Sequence, residues 1–237
     1  MGVTAGNPNT VDQANQAFGA DGSWEANNGR RQTKLFAQAF LARANLPTEG
    51  KLLDFGCGLG DFLPEVHRAY PRLRLTGVDH STVAAERGTE KYGAIADFYA
   101  ADFSNLRDHY DIIHSSNVFE HLDNPYWAAH DLMKFCHRQY IMVPYREGPH
   151  LHEMHLTSFH KGSFGAALKD SDVDIESRVF RVPGAWGRTF RQEIGLRLAT
   201  LLKGDPFSEY RQICFAITKR DAPPSIRGRK PFKPWVL

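Results

Sequence analysis

Lys51-Leu-Leu-Asp-Phe-Gly-Cys-Gly-Leu-Gly60 decides the architecture: a short apolar run breaks into a glycine turn, and Asp61 to Tyr70 continues at helical spacing with Pro64 in the first turn. Strand, glycine loop and helix in that order let backbone approach a ligand closely and aim helix N–H groups at it. The alternation continues outward. Leu73 to Val78 reads as a strand ending at Asp79, Thr82 to Tyr92 as a helix, Asp97 to Ala101 and Tyr110 to His114 as strands, Asn124 to Cys136 as a helix, and Tyr140 to Pro144 as a fifth strand. Upstream, Leu35, Phe36, Ala39, Phe40 and Ala42 recur at the spacing of a helix over Gln32 to Ala44. Downstream come a histidine-rich loop, a helix near Lys161 to Leu168, and strands near Ile175 to Val182 and Gln212 to Thr218. The pattern predicts an α/β fold, a doubly wound, mainly parallel seven-stranded sheet with an antiparallel edge strand.

The 237 residues, 42% hydrophobic and 24% charged, exclude a collagenous, low-complexity or wholly disordered chain and fit one principal domain. A flexible leader is expected over residues 1–23 and the main domain over 24–220. Within that domain, 24–46 forms an amino-terminal helical cap and 184–208 an insertion. Residues 221–237 form a basic, proline-rich tail. From Lys219 onward six basic side chains stand against Asp221 alone, and Pro223, Pro224, Pro231 and Pro234 break any helix, so the tail is expected to be solvated or draped over the surface. The remaining body is slightly acidic, unlike a nucleic-acid footprint. Cys57, Cys136 and Cys214 form no CxxC pair, which speaks against a zinc module or a disulfide framework and for a reducing, cytoplasmic setting. No apolar run approaches 18 residues, so no membrane is expected.

The glycine spacing is G-x-G-x-G, with Asp61 where a dinucleotide fingerprint would place its third glycine. Negative charge at that helix start disfavours a pyrophosphate and suits a cationic, phosphate-free ligand. Asp54 lies two residues before the first glycine. Asp79 ends the second strand, where a carboxylate can accept two ribose hydroxyls, and Asp102 follows the third strand beside the aromatic face of Phe103. Each acid alone also suits a helix cap or a turn. Carboxylates at three successive strand ends, together with the glycine loop, point to one crevice at the carboxyl edge of the sheet.

Leu53-Asp-Phe-Gly-Cys-Gly-Leu-Gly60, Gly77-Val-Asp79, Ala101-Asp102-Phe103 and Tyr110-Asp-Ile-Ile-His-Ser-Ser-Asn-Val-Phe-Glu-His-Leu122 resemble the ordered motifs of class I S-adenosylmethionine-dependent methyltransferases. The resemblance runs over roughly residues 50 to 220. It implies a Rossmann-like methyltransferase fold, with S-adenosyl-L-methionine as cofactor and S-adenosyl-L-homocysteine as product. It further implies that Gly56, Gly58 and Gly60, with Asp54 and Cys57, enclose the methionine end, that Asp79 binds ribose and that Asp102 meets adenine. His80 and Phe103 would flank the adenosine, and Ser116 and Asn117 would lie near the sulfonium. Phe119-Glu120-His121-Leu122 before Asp-Asn-Pro125, with Val143-Pro144-Tyr145 and a later His155-Leu-Thr-Ser-Phe159, looks like the branch acting on quinone precursors, sugars and natural products. Tyr145 departs from the asparagine frequent there. The implied activity is methyl transfer to O or N of a small-molecule acceptor, saccharide or natural-product-like, by in-line displacement. RNA or protein methylation, and catalytically silent cofactor binding, are the alternatives.

A sulfonium donor is already activated, so the protein mainly aligns the reactants and excludes water. A hydroxyl or ammonium acceptor needs a base, and histidine has the suitable range. His121 after the fourth strand and His155 after the fifth are the candidates; orienting a loop and packing a lid are their structural alternatives. His150-x-His152-x-x-His155 with Glu153 also resembles a set of metal ligands, but no cysteine or second acidic cluster supports it, and no metal is expected. His114, inside an apolar strand, reads as a buried structural histidine. Trp24, Arg30, Arg31 and Gln32 begin the amino-terminal helix, where an arginine could hold the methionine carboxylate or an acidic acceptor. The segment Gly184 to Gly204, with Trp186 and Phe190, is a second candidate wall for the acceptor.

Overall fold

The computed structural model describes residues 9–147, 154–185, 194–195 and 211–234. Seven strands form one sheet: β1 (Glu49–Phe55), β2 (Arg72–Asp79), β3 (Ala96–Ala100), β4 (Tyr110–Ser116), β5 (Cys136–Pro144), β6 (Val173–Phe180) and β7 (Gln212–Lys219). Their order is β3-β2-β1-β4-β5-β7-β6. The first five are parallel; β7 runs antiparallel to both neighbours. The antiparallel pairing predicted at that edge is therefore made by a strand inserted one position in from it. Sequence order reverses between β1 and β4, which opens a crevice at their carboxyl ends.

Consecutive strand residues bury on opposite faces. Leu52 and Ile112 pack with Phe36 and Phe40 of α3 (Gly29–Leu41) and Leu63 of α4 (Leu63–Ala69), whereas Leu53 and Ile113 pack with Ala128, Ala129 and Leu132 of α6 (Pro125–Leu132). Both faces are covered, so the central strands read as unbroken apolar runs instead of alternating ones. The helix predicted over Thr82 to Tyr92 forms as α5 (Thr82–Tyr92), started by Ser81, whose Oγ accepts from the Ala84 N–H at 3.0 Å. The helix predicted to run to Cys136 ends as α6 at Leu132, and β5 begins four residues before Tyr140. Arg138 and Gln139 concealed that start. Each is buried, but Arg138 donates to Thr218 Oγ1 and to the carbonyls of Ile226 and Arg229, and Gln139 donates to the Ala129 carbonyl at 2.7 Å.

Two further expectations are corrected. The leader contains α1 (Val11–Phe18), closed by a capping box between Thr10 and Gln13, and α2 (Ser23–Ala26) follows it. The basic tail is docked, not solvated: α8 (Pro224–Arg227) buries Ile226, and Phe232 is buried beside it. The Pro231 carbonyl accepts from Tyr140 Oη and from Asn45 N, both at 2.8 Å, and Lys233 Nζ reaches the Leu41 carbonyl at the end of α3. Pro224 opens α8 at its first position instead of breaking it, and the tail carbonyls of Ile226, Arg229 and Pro231 accept from Arg138 and Tyr140 of β5 and from the Asn45 N–H. Of the insertion expected over 184–208, all but 184–185 and 194–195 lies outside the described residues, as do Trp186 and Phe190.

Candidate active site

The glycine loop turns out of β1 with positive φ at three glycines, +73° at Gly56, +51° at Gly58 and +78° at Gly60. At Gly56 a Cβ would stand 2.3 Å from Val118 Cγ2, so only glycine lets the loop pass under the segment that follows β4. Asp79, at the end of β2 as predicted, receives the Gly58 N–H at 2.9 Å and the Ser81 N–H at 3.0 Å. Burial pushes its carboxyl above the usual range, against the pull of those N–H groups. It thus fixes the loop while standing at the rim of the crevice.

Asp54 sits below the loop with its carboxylate 2.7 Å from His114 Nδ1, and His114 stacks on Phe62 with ring centroids 3.8 Å apart. The reading of His114 as a buried structural residue holds. Burial raises the Asp54 carboxyl, and the His114 bond counters it. The Cys57 thiol is buried and raised well above its ordinary value by desolvation, which leaves it neutral packing at the loop base.

Asp61 is buried, and Arg30 Nη1 meets both its oxygens at 3.1 Å while Tyr92 Oη donates at 2.6 Å. The negative charge expected to face the ligand is thereby neutralised within the protein. Arg30 also binds Glu25. Arg87 donates to Glu25 at 2.6 Å and to the carbonyls of Phe18 and Gly19. These contacts strap the amino-terminal helices over the crevice: the Phe18 ring lies 3.2 Å from where a Gly58 Cβ would be, and Asn15 Oδ1 accepts from Ser81 Oγ at 2.6 Å.

His80 is exposed beside Asp79. Asp102 follows β3 and is exposed, its Oδ1 accepting from Ser104 N at 2.7 Å and Ser104 Oγ at 2.6 Å; Phe103 meets Trp127 edge-on at 5.5 Å. Ser116 ends β4. Asn117 takes φ +55°, donates its backbone N–H to the Met142 carbonyl at 2.8 Å, and accepts from Gln212 at 3.2 Å. Tyr145 is tied by its backbone to Arg211 and bridges to Phe159.

Beyond Asn117 lies a short turn, Phe119–His121. His121 and His155 come together with ring centroids 4.8 Å apart. The Met154 carbonyl accepts from His121 Nδ1 at 2.9 Å, and Glu147 takes His155 Nδ1 at 2.8 Å. Asn9, ahead of α1, donates to the carbonyls of His121 and Met154, both at 3.2 Å. His150, His152 and Glu153 lie outside the described residues. Sequence reasoning missed Glu120, Glu147, Asn9 and Asn15. Only the adjacent Glu-His pair after a strand end was a signal for Glu120; the others are brought in from distant segments.

Residues 28–143 match a family model described as a methyltransferase domain. The malonyl-[acyl-carrier protein] O-methyltransferase of Anoxybacillus flavithermus is 29% identical over 62% of this chain and 55% of its own length, so the chain spans about half of that curated relative. A complex between the Haloferax volcanii Trm112 methyltransferase activator and a methyltransferase superposes with a TM-score of 0.64 at 17% identity, covering 85% of this chain and 96% of the other. The magnesium protoporphyrin IX methyltransferase of Synechocystis with bound S-adenosylhomocysteine gives 0.55 at 15% identity over 90% of this chain and 96% of the other. Residues 28–143 are thus similar to a methyltransferase domain, and the solved methyltransferase structures share this chain's Rossmann-like fold.

Proposed function

We propose that the protein transfers the methyl group of S-adenosyl-L-methionine to an oxygen or nitrogen of a small-molecule acceptor, saccharide or natural-product-like, by in-line displacement. The observation that carries this reading is the His121–His155 pair, 4.8 Å between centroids, in the segment after β4 whose Val118 packs on Gly56 of the glycine loop. The Nδ1 of His121 can only donate to its carbonyl partner, so its neutral ring carries the lone pair on Nε2, the form a general base requires. Bound donor supplies an activated methyl; the chain holds the acceptor in line, excludes water beneath α1 and accepts a proton. As the acceptor atom bonds to the methyl carbon, the carbon–sulfur bond breaks and its electron pair returns to sulfur. The acceptor proton passes to the imidazole.

Asp54, Gly56, Cys57, Gly58 and Gly60 line the methionine end in this reading, with Asp54 and Cys57 acting through the loop they support. Asp79 receives the ribose hydroxyls, Asp102, His80 and Phe103 surround the adenosine, and Ser116 and Asn117 border the sulfonium. Three unpaired, buried thiols suit a cytoplasmic setting, and no helix among the described residues is long and apolar enough to cross a membrane. Turnover with a panel of sugars, phenols and amines tests the reading. His121→Ala and His155→Ala should lower turnover by about 10²–10⁴-fold with little change in S-adenosylhomocysteine affinity. Tight cofactor binding with no product from any acceptor class would favour the silent alternative.

A further inference from the structure

Glu120 has 1% of its surface exposed, and neither carboxylate oxygen meets a hydrogen-bond partner among the described residues. A carboxylate in that position costs several kcal/mol unless something compensates it. The groups beside it are two imidazoles: one ligand atom from each of Glu120, His121 and His155 falls within 4.8 Å of the others. Both rings are already oriented from behind. His121 Nδ1 donates to the Met154 carbonyl, and His155 Nδ1 donates to Glu147, whose carboxylate oxygens both lie at 2.8 Å. A carbonyl or carboxylate on one ring nitrogen, with the lone pair kept on the other, is the arrangement that supports a metal-bound imidazole. The Glu120 and His155 side chains are buried and His121 is half-buried.

We propose that Glu120, His121 and His155 bind one first-row divalent cation, of the class Mn²⁺, Fe²⁺, Co²⁺ or Zn²⁺. Two nitrogens and one carboxylate select these over Mg²⁺ and Ca²⁺, which prefer all-oxygen shells. Three protein ligands leave coordination positions open for acceptor oxygens. The site differs from the run of histidines read in the sequence: His155 is shared, but its companions come from the turn after β4. The role of the cation rests on the methyl-transfer reading and changes one step of it. An acceptor hydroxyl bound to the cation loses its proton to water, its oxygen bonds to the methyl carbon, and the carbon–sulfur pair returns to sulfur. The two imidazoles then act as ligands, and their lone pairs serve the metal.

Chelator-treated protein titrated with Co²⁺ alone tests the site, read by calorimetry and visible absorption. We expect one saturable equivalent per chain with a ligand-field spectrum. Glu120→Gln and His155→Ala should weaken uptake at least tenfold, about the scale found when a supporting group is lost. Glu147→Gln keeps all three ligands and should weaken it about 10–100-fold through the loosened His155 ring. Glu120→Gln preserves volume and removes a buried charge, so its melting temperature without metal should not fall. Absence of saturable uptake, or uptake unchanged in both Glu120→Gln and His155→Ala, overturns the proposal. S-adenosylhomocysteine affinity measured on the same samples separates the two readings: cofactor bound without Co²⁺ uptake sinks the cation site alone, whereas Co²⁺ uptake without cofactor binding sinks the methyl-transfer reading and leaves the site.

Discussion

On the cofactor side of the crevice every buried acid is answered: Asp79 by the N–H groups of Gly58 and Ser81, Asp61 by Arg30 and Tyr92, Asp54 by His114. Across the switch point Glu120 is as deeply buried, yet its carboxylate has no partner among the described residues. Burial pushes that carboxyl well above its usual range, with no hydrogen bond from another side chain to pull it back. The contrast teaches where each half gets its order. In the first half the loop and its supports complete one another. The second half brings two imidazoles and a buried carboxylate together without a hydrogen-bond partner for that carboxylate among the described residues.

Substitutions can break or sharpen that contrast. The largest effect is expected at Gly56→Ala, which combines a backbone at φ +73° with a Cβ 2.3 Å from Val118 Cγ2. Together these should cost about 3 kcal/mol in denaturant unfolding. Adding Val118→Ala should recover the steric part, and a double variant no more stable than Gly56→Ala would show that the two halves do not press on each other there. Asp79→Ala comes next, with S-adenosylhomocysteine affinity falling by about 1–3 kcal/mol in calorimetry. Asp102→Ala, at an exposed turn residue already bonded to Ser104, should lose about 0.5–1.5 kcal/mol. Equal losses at the two positions would mean that preorganisation of the loop is not what Asp79 adds.

The smallest effect concerns the strap over the crevice. Glu25, bonded first to Arg30 and then to Arg87, is held at about 2 against its ordinary 4.5. A depressed carboxylate contributes stability that is present above the unfolded value and lost as pH falls through the folded one. With 34% of the side chain exposed, solvent screening reduces the contribution to on the order of 1 kcal/mol. Glu25→Gln should therefore melt lower than the parent protein at pH 7, and the two should converge as pH falls from about 4.5 toward 2. Identical melting curves at neutral pH would show that these ion pairs do not fasten the strap.

Legibility followed chain distance. The glycine loop, Asp79 and the strand ends were readable because their partners lie within a few residues or in the next strand, so spacing alone constrains them. Asp61 was misread as facing the ligand because Arg30, 31 positions away, supplies the opposite charge. Which of the two expected forms the tail takes, solvated or draped, was hidden for the same reason: Arg138 collects carbonyls 88 and 91 residues downstream, and no local pattern announces that. His121 and His155 were named as candidates, but the carboxylate between them and the groups behind their rings were not.

The amino-acid order alone determined the α/β alternation and the glycine turn at the carboxyl edge of the sheet, since short-range sterics and apolar periodicity act within a few residues. Tertiary structure alone decided which charges are neutralised and which stand open. Residues 9, 120, 121, 147, 154 and 155 share one corner only because β4 and β5 lie side by side and the chain before α1 folds back across their ends. Electrostatics in a desolvated space depends on distance through that space, and sequence separation does not record it.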